Sequence, residues 1–212
     1  MKKLGLLHLF GFMITILLFT ILFGQILGHF VSLDTKLKYI LICFVQIPID
    51  ILALYTYTRI FLKDLTLSEI FGIDKKTLVR NILIGMFAYL GIKIFCVIFQ
   101  LIFGDPNGGT SIAKLYNMDY FALMCQAIII APFREELVFR GLLQPVFKNK
   151  LGTVASILIT AIVFTFIHTT YLKVPMVFII LFVLALTMSI LRHKTNSIVP
   201  SYILHLMFNS HI

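Results

Sequence analysis

The chain has 212 residues, 60% of them hydrophobic and only 13% charged, with a formal charge of +9. Soluble domains carry roughly 45–50% apolar and about 25% charged residues, so a disordered chain and a water-facing globule are both excluded. The basic residues sit in short clusters between long apolar runs, which argues against a nucleic-acid partner despite the positive balance.

The bilayer is the expected solvent, and a membrane helix needs about 20 mostly apolar residues. Seven segments fit, at 4–30, 39–57, 81–103, 120–147, 151–171, 176–191 and 197–212. The expected fold is therefore all-α, a polytopic transmembrane bundle of about seven helices forming a single integral-membrane domain over 1–212. The first segment follows Met1-Lys2-Lys3 and is uncharged over 4–33. That is far longer than the roughly 7–15 apolar residues of a secretory signal, and no A-x-A site follows. It reads as a retained helix.

Asp50 and Lys93 lie inside the second and third segments. Charges at that depth are costly and usually paired, so the two are expected to pair with each other. Between these segments, Thr66-x-x-Glu69 resembles a capping box opening a short helix whose Ile70 and Phe71 would lie on the membrane interface. After the third segment, Asp105-Pro106-Asn107-Gly108-Gly109 reads as a solvated turn. Cys43, Cys96 and Cys125 stand singly in apolar runs and read as packing residues. With the N-terminus inside, the inner ends carry eleven basic residues and the outer ends four, Lys36, Lys38, Lys114 and Lys173. That bias favours a cytoplasmic N-terminus, and the compact chain suggests a prokaryotic plasma membrane.

The fourth segment carries the chemistry. Its uncharged part, 120–133, is 14 residues, too short to cross alone. To span, it must continue through Arg134-Glu135-Glu136-Leu137-Val138-Phe139-Arg140. The chain has three glutamates, and two are adjacent here. Glu136 and Arg140 are spaced for an intrahelical ion pair, which leaves Glu135 pointing elsewhere and unexplained. His168 lies near the end of the fifth segment. His205 and Asn209 share one face of the last. If residues 148–152 form a tight turn, Glu135 and His168 lie within about 5 Å in depth, whereas His205 needs a tilt or stagger to join them. A carboxylate in an apolar pocket can act as base toward water, a histidine can orient that water, and an imidazole and an amide can stabilise an oxyanion. Glu135, His168 and His205 also match zinc's ligand types, although no H-E-x-x-H helix is present. No cofactor is certain, and zinc is the one candidate.

These residues resemble the CPBP intramembrane proteases, the group of CAAX prenyl endopeptidases and bacteriocin-processing or immunity proteins. Their pattern E-E-x-x-x-R, F-x-x-x-H and H-x-x-x-N is met by Glu135-Glu136 with Arg140, by Phe164 with His168, and by His205 with Asn209. The stretch Pro132–Gly141 is similar to the family's P-x-x-E-E-x-x-F-R-G. The likeness covers 119–212 as a catalytic core, with 1–118 as variable helices. It implies that Glu135 activates water with His168, that His205 and Asn209 stabilise the oxyanion, and that Glu136, Arg140 and Phe164 support the site. The implied partner is a membrane-associated or lipidated peptide. On that expectation Glu135, His168 and His205 line one water-accessible cavity. Two alternatives use the same polar residues: a non-catalytic immunity or membrane interaction protein, in which they only hold helices together, and a small transporter. The transporter lacks the repeats and broken helices expected of such sites.

Overall fold

The structure is a computed structural model that describes residues 5–30, 35–62, 66–104, 125–168 and 174–210. The turn-rich stretch 105–109, the start of the fourth segment at 120–124, and Lys114, Tyr171, Lys173 and His211 lie outside them. Eight helices are described: α1 Leu6–Phe30, α2 Thr35–Phe61, α3 Leu67–Phe71, α4 Leu78–Phe103, α5 over 125–151, α6 Thr153–Ile167, α7 Pro175–Thr195 and α8 Val199–Asn209. The protein is all-α, and α3 accounts for the excess over seven.

Among the described residues, α4 and α7 are long and apolar enough to cross a membrane, with mean hydropathies of 2.4 and 2.3. At 1.5 Å per residue, the 26 residues of α4 extend about 39 Å. Phe87, Ile94 and Leu101, seven apart on one face, are 70%, 62% and 81% exposed. The opposite face buries Tyr89, Ile92 and Phe99. So large an outward apolar face on one helix suits lipid rather than water. Gly85 makes the inward crossing possible, because a Cβ there would fall 2.6 Å from the Pro200 carbonyl oxygen on α8.

The capping box forms as expected. Thr66 Oγ1 accepts from the Glu69 N–H at 3.3 Å, and the Glu69 carboxylate accepts from the Thr66 N–H at 2.8 Å. The expectation for Ile70 and Phe71 fails, since both are buried in the core. The reason lies at the helix C-terminus, where the last carbonyls need donors. Phe71 O accepts from the Ile198 N–H at 3.0 Å and Ile70 O from Arg192 Nη2 at 3.2 Å. These bonds pull α3 inward, and Gly72, at φ 61°, turns the chain away.

The expected Asp50–Lys93 pair is also corrected. Lys93 Nζ lies 5.9 Å from the Tyr89 ring centroid. Asp50, fully buried on α2, accepts a two-pronged pair from Arg134 of α5, with Nε at 2.6 Å and Nη2 at 2.9 Å. Arg134 Nη2 also donates to Thr20 Oγ1 of α1 at 3.0 Å, and Gln46 Nε2 donates to Asp50 at 3.2 Å. A fork fits a carboxylate edge in a way an ammonium cannot. Arg134→Ala strands the Asp50 charge and is expected to cost about 3 kcal/mol, read as a lower melting temperature in detergent; Asp50→Asn/Arg134→Gln should recover part of the loss.

Neither proline breaks α5. In an α-helix the proline ring clashes with the carbonyl four residues earlier. Here the turns widen to i→i+5 over Cys125–Ile130 and Leu137–Leu143, just before Pro132 and Pro145, which moves that carbonyl aside. The stretch Ala131–Glu136 between the wide turns keeps α geometry and bears both glutamates. Wide turns of this kind concentrate at functional sites.

Candidate active site

Phe164 is the wedge on which the polar residues are arranged. It is fully buried on α6, and the Arg140 guanidinium carbon stands 4.4 Å from its ring centroid, a cation–π contact. The rings of His168 and His205 lie 4.7 and 5.6 Å from the same centroid. Arg140, without access to solvent, donates Nη1 to Glu136 Oε1 at 2.8 Å and Nη2 to the Ala185 carbonyl of α7 at 3.1 Å. The intrahelical pair read from the spacing is therefore present, and it reaches a third helix. Glu136 Oε1 also lies 3.2 Å from His205 Nδ1. Residues on α5, α6, α7 and α8 thus lock together through one carboxylate, one guanidinium and one ring.

The two imidazoles have determinable proton positions. A carboxylate and a carbonyl only accept hydrogen bonds. His205 Nδ1, facing Glu136, is therefore the donor, and so is His168 Nδ1, which lies 2.8 Å from the Phe164 carbonyl. Each ring then turns Nε2 toward Glu135. His168 Nε2 and His205 Nε2 both stand 3.7 Å from Glu135 Oε2, an oxygen that is buried and makes no hydrogen bond. In singly protonated rings both Nε2 atoms are acceptors, so three acceptors face one small volume. At 3.7 Å no pair bonds directly. A small donor such as water, or an added proton, satisfies the set. The Glu135 and His168 side chains are 27% and 22% exposed, while His205 is 4% exposed. The approach is open on the α5–α6 side and closed on the α8 side.

The staggered meeting expected for Glu135, His168 and His205 is thus realised. Asn209 Nδ2 donates one of its two N–H groups to the Ala127 carbonyl of α5 at 2.9 Å, eight residues before Glu135. A separate cavity of about 590 Å³ opens toward the C-terminal end of α5, bordered by Gln144, Lys148, Arg192 and His193.

Zinc was a second use for the same atoms. Two imidazoles and a carboxylate are suitable ligand types. However, among the described residues no group of three or more His, Cys, Asp or Glu side chains is placed to hold a metal ion. No step below runs through zinc.

Two residues of this region were not singled out in the sequence. Arg134 is one, and an arginine in a segment that must cross the bilayer already calls for a partner. Arg192 is one of the eleven inner-end basic residues, yet it is 4% exposed and donates Nε to the Arg140 carbonyl at 2.9 Å. Pro145, five residues after Arg140, has no N–H to offer that carbonyl in the widened register, which the sequence pattern does not announce.

Residues 117–211 match the family described as type II CAAX prenyl endopeptidase Rce1-like. The matched stretch contains every residue of the constellation around Glu135. No curated protein and no solved structure matches the chain.

Proposed function

We propose, with the Rce1-like match as premise, that the protein is an integral-membrane endopeptidase that hydrolyses a peptide bond of a membrane-associated or lipidated peptide. The carrying observation is Glu135 Oε2, buried, unbonded and equidistant from two imidazole nitrogens. Arg140, Arg134 and Asn209 hold helices together, which equally suits a non-catalytic interaction protein. Glu135 has no such duty.

Water seated against Glu135 donates one hydrogen to Oε2 and the other to an imidazole Nε2. Glu135 takes a proton as the water oxygen bonds to the substrate carbonyl carbon, leaving a tetrahedral oxyanion. His205, when it carries a second proton, donates Nε2–H to that oxyanion, with the Glu136 carboxylate behind its Nδ1–H supporting the positive ring. The proton held by Glu135 passes, with His168 as relay, to the leaving nitrogen as the C–N bond breaks. Products are a new carboxylate and a new amine. In this scheme Asn209 acts through α5 and does not touch the oxyanion.

The seven predicted spans, the charge bias and the exposed apolar face of α4 support placing the chain in a plasma membrane with its N-terminus inside. A chelator separates the water mechanism from a metal-borne one. Protein in vesicles is expected to cleave membrane peptides at the same rate before and after treatment with phenanthroline. Loss of activity that zinc restores would contradict the reading.

A further inference from the structure

In the wide turns of α5, the N–H bonds to the carbonyl five residues earlier, as the Gln144 N–H does to Phe139 O. The next donor in that register is residue 145, which would serve Arg140 O. It is a proline and has no N–H. Arg140 O instead accepts from Arg192 Nε of α7 at 2.9 Å. The first wide stretch repeats the arrangement. There the register pairs residue 132 with Ala127 O, residue 132 is again proline, and Ala127 O accepts from Asn209 Nδ2 of α8 at 2.9 Å. Two prolines thirteen residues apart each leave a carbonyl without its backbone donor, and a side chain from a different helix supplies each missing bond. A carbonyl left without a donor in an apolar interior is costly, so each cap also fixes where its helix sits.

We propose that Asn209 and Arg192 are positioning residues, each replacing the backbone hydrogen bond that a proline removes from α5. Together they hold the Ala131–Glu136 turn, with Glu135 and Glu136, against α7 and α8. The two caps bracket that turn, one on either side. Asn209 places α8, and with it His205, relative to Glu135. Arg192 grips the backbone of Arg140, whose side chain holds Glu136. The kinetic consequence rests on the endopeptidase reading, whereas the bonding arrangement does not.

The test exploits what the prolines lack. Asn209→Leu keeps bulk and removes the donor; it is expected to lower kcat about 100-fold with KM little changed, and to lower the melting temperature in detergent. Pro132→Ala alone should stay near the parent. The double variant Asn209→Leu/Pro132→Ala regains a backbone N–H for Ala127 O, so both readouts should return most of the way. A donor to the oxyanion cannot be replaced from residue 132, so a double variant that folds but stays as slow as Asn209→Leu overturns the proposal. If the parent protein cleaves nothing, the melting temperatures decide alone: recovery in the double variant upholds the caps while the endopeptidase reading falls. Arg192→Leu with Pro145→Ala is the second pair, for use if the first does not fold. Partial recovery is expected there, because Ile70 O stays without Arg192 Nη2; no recovery at all counts against the proposal.

Discussion

Glu135→Gln is expected to reduce cleavage about 10²–10⁴-fold, the contribution typical of a positioned general base, while the protein keeps its yield and melting temperature. The substitution changes little else. Glu135 Oε2 makes no hydrogen bond, and the side chain is 27% exposed, so the substitution breaks no hydrogen bond at that oxygen. Glutamine retains the shape and one oxygen but has no basic lone pair to take a proton from water. The same change at a residue that merely holds helices would alter stability first. Full activity in this variant removes Glu135 as the base.

Arg140→Leu is expected to act on both fold and chemistry. Arg140 is fully buried and satisfies Glu136, the Ala185 carbonyl and the face of Phe164. Removing it leaves Glu136 charged, or half-satisfied, where no water reaches. Breaking a buried pair from one side costs about 3–5 kcal/mol, which predicts lower yield in membranes and an early thermal transition. Since Glu136 also orients His205, the surviving folded fraction should cleave more slowly per molecule. Arg140→Lys is not a conservative escape, because a single ammonium cannot serve the carboxylate and the Ala185 carbonyl while stacking on Phe164. Parent-like yield and rate in Arg140→Leu would mean that the pair supports nothing.

The helices were legible because apolar run length is a direct physical signal, and the capping box at Thr66 because its spacing encodes its geometry. The Glu136–Arg140 pair followed from helical spacing. Glu135 and His168 could be placed at one depth from helix rise alone. What escaped was tertiary. Nothing local tells Asp50 to choose Arg134 over Lys93, since both are basic groups on helices of unknown facing. Ile70 and Phe71 looked interfacial because their burial depends on donors from Ile198 and Arg192, more than 120 residues later. Asn209 was read from its side-chain chemistry as a donor to substrate, and its backbone partner becomes visible only when Pro132 and the widened turn are placed opposite it. The sequence holds the prolines in plain sight, but their meaning depends on an i→i+5 register that no hydrophobic pattern announces.

The most direct measurement follows oxygen. Parent protein and Glu135→Gln, each in vesicles with membrane peptides in water enriched in ¹⁸O, are compared by mass spectrometry after a single turnover. A water activated by Glu135 predicts new C-terminal carboxylates carrying one ¹⁸O with the parent and none above background with the variant. Unlabelled new carboxylates, or identical labelled products from both proteins, would contradict it.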